Sequence, residues 1–193
     1  KKVAKQSVFK NEYFCLPTSK HYCTVHKNFE YVMEYSTFSM YEGLFRWREI
    51  LPIGFYEKGT LITAPNQLIY NPPMYLFAIL SSRIHKLWVQ TVGGKLKTDI
   101  RYSSELCYNT FPLPEINKES QNILKEISLR LLVDERERHF EKTISQLYDP
   151  DTMPKGLRDL HQEIDTIVEK CYQSKTFLND EEKLKCLFDM YAD

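Results

Sequence analysis

Pro112-Leu113-Pro114 divides this chain into two stretches that follow different folding rules. Two prolines within three residues remove two backbone donors and fix φ near about −65°, so neither a helix nor a strand ladder runs through them. Upstream, short runs of aromatic and β-branched residues alternate loosely between Gly, Pro and Asn, which is the pattern of short strands and turns. Downstream, apolar residues recur every three or four positions, which is helical spacing. The expected fold is α+β: a mixed strand and helix domain over residues 1–114, then a small all-helical domain over residues 115–193.

Within the first stretch, Glu30-Tyr31-Val32-Met33-Glu34-Tyr35 reads as a strand and Leu51-Pro52-Ile53-Gly54-Phe55 as an apolar turn. Thr60 to Ala64 and Gln67 to Tyr70 read as short strands around a Pro65-Asn66 turn. Tyr75 to Val92 reads as one helix with Leu76, Leu80, Ile84, Leu87, Trp88 and Thr91 on its apolar stripe, stopped by Gly93-Gly94. Ser81, Ser82, Arg83, His85 and Lys86 fall off that stripe, on the face expected to meet solvent or a partner. Lys95 to Tyr102 and Glu105 to Phe111 read as two strands joined by Ser103-Ser104.

In the second stretch Ile116 to Tyr148 reads as one helix, and Asp149 to Pro154 as a corner. The helix after it carries Leu157, Leu160, Ile164, Ile167, Val168 and Cys171 on one face. Asn179 with Glu182 predicts the N-terminal cap of a last short helix.

Charge separates along the same line. The net charge of the 193 residues is zero, but residues 1–114 carry +6 and residues 115–193 carry −6. A basic half suits a polyanionic partner, and the acidic half is expected to face solvent or protein. The longest apolar run, Met74 to Leu80, is too short to span a bilayer. No apolar segment follows the Lys1-Lys2-Val3-Ala4-Lys5 start, so no signal peptide is expected, and the missing initiator Met reads as the mark of an excised fragment. Five cysteines without a Cys-x-x-Cys fit reduced thiols in a cytoplasm.

Two motifs invite chemistry and are set aside. Asn71-Pro72-Pro73-Met74-Tyr75 approaches the Asn-Pro-Pro-aromatic signature of amino-methyltransferases. Its fourth residue is Met, and no Gly-rich strand–turn–helix for S-adenosylmethionine precedes it. It reads as a proline turn entering a helix. Cys15, His21, Cys23 and His26 have a spacing that matches no common zinc site, so no metal is expected. His139 and His161 lie on charged helices and read as surface residues; no catalytic residue is expected in this chain.

The stretch from Ser81 to Ser104 is more informative. It holds Arg83, Lys86, Lys95, Lys97 and Arg101 against Asp99 as its one acid. A Ser-Ser-Arg-x-His-Lys helix face followed by a Lys-rich hairpin supplies donors for phosphates and base edges. Lys97 and Asp99, two apart in an expected strand, would share one face. A Lys donates to the two major-groove acceptors of guanine, and an Asp accepts from the cytosine amino group, so the pair suits one G·C base pair.

These blocks are also where the sequence resembles a known family. Leu51 to Phe55, Leu80-Ser81-Ser82-Arg83-Ile84-His85-Lys86-Leu87-Trp88-Val89, Gly94 to Ser103, and Tyr108-Asn109-Thr110-Phe111-Pro112 look like the target-recognition domain of MmeI-like DNA methyltransferases. These are single-chain restriction–modification enzymes that methylate adenine at its exocyclic nitrogen. The corner Leu147 to Pro154 and the helix from Leu157 to Tyr172 are similar to that family's C-terminal helical segment. The resemblance runs from about Arg46 to Tyr172, while Phe45-Arg46-Trp47-Arg48-Glu49 keeps little of the Ser/Arg-rich lead usual in the family.

The resemblance implies that this segment chooses the site on double-stranded DNA. Lys97 and Asp99 would read a base pair, and Ser81, Ser82, Arg83, His85, Lys86, Lys95 and Arg101 would contact backbone or groove. A methyltransferase domain of the same polypeptide, upstream, would bind S-adenosylmethionine, and the segment alone would be inactive. The competing expectations are a protein-interaction or assembly domain, suggested by the acidic helices, and a self-contained methyltransferase resting on Asn71 to Tyr75.

Overall fold

A computed structural model describes residues 14–15, 23–24, 31–35, 53–57, 61–62, 67–70, 72–96 and 99–192. Its strands are β1 (Phe14–Cys15), β2 (Cys23–Thr24), β3 (Tyr31–Tyr35), β4 (Ile53–Glu57), β5 (Leu61–Ile62), β6 (Gln67–Tyr70), β7 (Gly94–Leu96) and β8 (Asp99–Arg101). Its helices are α1 (Met74–Ser81), α2 (Arg83–Val92), α3 (Lys118–Leu129), α4 (Ile144–Leu147), α5 (Lys155–Tyr172) and α6 (Asp180–Ala192). The fold is α+β, with all described strands before the proline break and helices after it, as expected.

Four strands form an antiparallel sheet in the order β1-β6-β3-β4. The expected strand at Glu30 to Tyr35 is β3, pairing Tyr35 with both Ile53 and Gln67. The expected apolar turn at Leu51 to Phe55 is instead largely strand β4. The segments on either side of Pro65-Asn66 are strands, but they do not pair with each other: β5 pairs with β2, and β6 with β3 and β1.

Strand alternation places Ile53 and Phe55 on one face of β4. Ile53 is buried, and the Phe55 ring lies 5.7 Å from Phe77 of α1, so this face packs on the helices. Helix α1 is buried continuously from Leu76 to Ser81 and lies against α3 and α5. A short helix with no polar face sits where other elements can cover every side. One apolar core therefore runs through both sides of the proline break, joining Phe77 and Leu80 to Leu124, Leu131, Leu157 and Ile164.

The single helix expected over Tyr75 to Val92 is broken at Ser82, whose backbone is extended at φ −74°, ψ 157°. Its hydroxyl donates to the Ile79 carbonyl at 2.5 Å, the kind of local bond by which serine competes with the helical ladder. Gly93 follows α2 in extended backbone, so the helix stops at the expected place. The continuous strand expected over Lys95 to Tyr102 is two strands, β7 and β8, pairing Gly94 with Arg101 and Leu96 with Asp99.

The strand expected over Glu105 to Phe111 is corrected too: Ser104–Tyr108 is a π-helical turn, closed by the Asn109 amide donating to the Ser104 carbonyl at 2.8 Å. It buries Cys107 and Tyr108 and exposes Glu105 and Leu106.

The helix expected over Ile116 to Tyr148 becomes α3, a π-helical stretch at Arg130–Arg136, and α4. Thr143 and Gln146 restart it with a capping box: the Thr143 amide donates to Gln146 Oε1 at 3.0 Å, and the Gln146 amide to Thr143 Oγ at 3.3 Å. The corner at Asp149 to Pro154 and the buried face of α5 are as expected, with Leu157, Leu160, Ile164 and Val168 inside. Asn179 caps α6 by accepting the Glu182 amide at 2.9 Å, and Glu182 accepts the Leu178 amide at 2.7 Å. Among the described residues, no helix is long and apolar enough to cross a membrane.

Candidate nucleic-acid interface

The expected partner-facing residues of the Ser81–Lys86 block part company in the structure. Ser81, Ser82 and His85 are buried, so the expectation that they lie on a face open to solvent or a partner is corrected. Because α2 restarts after Ser82, its inner face holds Ile84, His85, Trp88 and Val89.

His85 is an interior residue with interior partners. Its Nδ1 lies 2.7 Å from the Leu80 carbonyl, and a carbonyl only accepts, so Nδ1 carries the proton. The ring meets Phe111 at 4.6 Å and Tyr102 at 6.0 Å. Burial pushes its pKa down to about 4, against an upward pull from the Leu80 carbonyl, so it is neutral near pH 7.

Arg83 and Lys86 remain toward the surface. The Arg83 guanidinium donates to Asp180 of α6 at 3.1 Å, with side chains 59% and 44% exposed. Such an open pair is worth about 0–1 kcal/mol, so a phosphate competes for the guanidinium at little cost. The Arg83 amide donates to Asp165 of α5 at 2.7 Å. With Gln90, Arg158, Gln162 and Asp165, these two cations line a cleft of about 370 Å³ between α2 and the C-terminal helices. Arg158 and Gln162 were not expected there; they lie on the polar side of α5, and nothing in their spacing shows which neighbour that side meets.

The acidic half thus sends two carboxylates onto the basic helix. Burial raises the Asp165 pKa to about 6, opposed by the hydrogen bond from the Arg83 amide. Lys95, Asp99 and Arg101 belong to the β7–β8 hairpin, in which Lys95 pairs with Ile100, Leu96 with Asp99 and Gly94 with Arg101. Lys97 lies outside the described residues, as does the expected sharing of one strand face by Lys97 and Asp99. Asn71, His21 and His26 also lie outside them, whereas Pro73 stands in extended backbone immediately before α1, as a proline turn entering a helix.

His161, expected at the surface, is buried. Arg136 donates from Nε to the Tyr148 hydroxyl at 2.9 Å and again from Nη2, so the Tyr148 proton turns to His161 Nε2 at 3.0 Å. Burial, then the Arg136 charge, lowers the His161 pKa to about 3. His139 is half-buried, with Nδ1 3.9 Å from Glu141.

Comparison with known proteins bears on this face. The family described as the MmeI target recognition domain matches residues 32–115, and the MmeI C-terminal domain matches residues 116–193. Both matches extend past the Arg46 to Tyr172 stretch of the resemblance. DNA methyltransferase A of Bacillus subtilis (strain 168) is 42% identical over 146 residues, 76% of this chain and 16% of that protein. A solved structure of the Type IIL restriction-modification enzyme MmeI in complex with DNA matches with a TM-score of 0.76 at 28% identity. That likeness covers 86% of this chain and 22% of the MmeI chain, so the present chain spans a minor part of each relative. With a target-recognition domain followed directly by a C-terminal domain, the chain belongs to the MmeI family.

Proposed function

We propose that this chain chooses the double-stranded DNA site at which a larger restriction–modification polypeptide methylates adenine. The observation that carries this reading is the likeness to MmeI solved with DNA, which extends over 86% of the chain. Fold likeness alone is a weak guide to function, but here it coincides with matches to the recognition and C-terminal domains themselves.

In this reading Lys97 donates to the guanine, and Asp99 accepts from the cytosine, of one base pair. Arg83, Lys86, Lys95 and Arg101 place the duplex through its phosphates and carry no sequence information themselves. Ser81, Ser82 and His85 support α2 from inside and have no part in the contact. A methyltransferase domain elsewhere in the same polypeptide supplies S-adenosylmethionine and acts on a flipped adenine, and this chain alone is inactive. Five cysteines without a Cys-x-x-Cys support a reducing compartment, the cytoplasm, for the protein.

The test is to exchange the two chemistries in the intact polypeptide, Lys97→Glu with Asp99→Arg, and sequence the methylated sites. The motif is expected to change from G·C to C·G at one position, with loss of the original match costing about 1–3 kcal/mol. An active double variant with an unchanged motif removes this pair as the reader.

A further inference from the structure

Helix α2 begins with an end that its own sequence caps poorly. Ser82 stands at the cap, but its hydroxyl donates backward to Ile79 at 2.5 Å and meets the His85 amide only at 3.5 Å. The first N–H of the helix, that of Arg83, is taken by Asp165 Oδ1 at 2.7 Å, from α5. A carboxylate is the strongest acceptor for such a group and is favoured again by the positive end of the helix dipole.

The same residue is held a second time, because its guanidinium reaches Asp180 of α6. Further along α2, the Trp88 ring packs on Phe188 and Tyr191 of α6 at 5.2 and 5.7 Å. The C-terminal helices therefore grip α2 at its first turn and along its inner side. At its other end only Gly93 separates α2 from the β7–β8 hairpin.

We propose that Asp165 is a positioning residue for target recognition: by capping α2 from α5, it fixes where the helix starts and so where the hairpin at its far end stands. Ten helical residues span about 15 Å as a stiff rod, so a shift at Arg83 is carried to Gly94. Asp180 adds a weaker, exposed restraint on the same residue. The proposal rests on the reading of this chain as the site-choosing module.

The experiment compares Asp165→Asn, Asp165→Ala and Asp165→Glu with the wild type in the intact polypeptide. It measures binding to the methylated duplex sequence, to single-base variants of it and to unrelated duplex at low salt, beside thermal unfolding. Asn keeps the acceptor oxygen and is expected to keep wild-type selectivity. Ala removes the acceptor and Glu displaces it by one methylene. Both are expected to lose about ten-fold in preference for the correct site while binding unrelated duplex undiminished. A residue that merely supports the fold weakens all duplexes alike and lowers the unfolding temperature, and that result overturns the proposal. So does unchanged preference in both the Ala and Glu variants, or an Asn variant as defective as Ala; if Ala does not fold, Glu carries the comparison. A wild type that does not discriminate among the duplexes sinks the site-choosing reading itself, and this proposal with it.

Discussion

Helix α1 is buried continuously from Leu76 to Ser81, whereas α2, one residue later, buries Ile84, His85, Trp88 and Val89 and exposes Arg83, Gln90 and Thr91. The difference depends on Ser82. In an unbroken helix Arg83 would follow Ile79 by four residues and Leu80 by three, on the same side as two fully buried side chains. The extended residue rotates the second helix, so Arg83 and Gln90 reach the surface while His85 turns inward. One helix serves cohesion alone, and the next divides its surface between core and solvent.

The largest expected effect breaks the cohesive side. Phe77→Ala removes a fully buried ring packed between Phe55 and the Arg136 guanidinium, and should destabilise the fold by about 3–5 kcal/mol in denaturant unfolding. A loss below about 1 kcal/mol would show that α1 is not the centre of the core.

Next in size is the response to acid. His85 and His161 have folded pKa values near 4 and 3, below the ordinary 6.5, so the unfolded chain takes up protons first as pH falls. Their contribution is present above about pH 6.5 and is lost, on the order of a few kcal/mol, as pH falls toward 4. Asp165 works the other way: its folded value near 6 exceeds the ordinary 3.8, so its contribution is present at low pH and lost as pH rises through 6. Asp165→Asn should therefore steepen the acid loss between pH 6 and 4, read from thermal unfolding across pH. A profile no steeper than that of the wild type would contradict the raised Asp165 value, and a wild type with no acid loss between pH 6 and 4 would contradict the assignment of both histidines as neutral interior groups.

The smallest stability effect belongs to the contact side. Lys86→Ala should change stability by less than about 1 kcal/mol, yet lower the salt slope of DNA binding by about one in the intact polypeptide. An unchanged slope would leave Lys86 as part of the α2–α5 cleft with no phosphate of its own.

The sequence showed some of this well and some not at all. The buried face of α5 was legible because its apolar residues repeat at helical spacing over 18 residues and meet the core along one side. The Asn179 cap was legible because both its partners lie within four residues. Thr143 and Gln146 carry an equally local capping signal, masked by the continuous helical spacing around it. The burial of Ser81, Ser82 and His85 is not legible because polarity suggests surface, while it is decided by how the chain turns at Ser82 and, for His85, by Phe111 and Tyr102 from later in the chain. Glu105 to Phe111 has the pattern of a strand because so short an apolar run does not distinguish alternation from a single wide helical turn. Of the candidate face, Arg83 and Lys86 were legible as cations; that Asp165 and Asp180 stand beside Arg83 was not, since 82 and 97 residues separate them.

Arg136 carries a consequence for anyone exchanging specificity among relatives. Its guanidinium donates to the Ile53 carbonyl of β4 at 2.5 Å, lies over the rings of Phe77 and Tyr148, and holds the Tyr148–His161 pair. Sheet, α1 and C-terminal helices are stitched by one permanently charged group. Transplanting residues 32–115 alone would set a foreign sheet edge and a foreign aromatic ring beneath a resident arginine. A graft that is to keep its shape has to carry its own counterpart of Arg136, so the portable unit of specificity extends well past the prolines into the helical part.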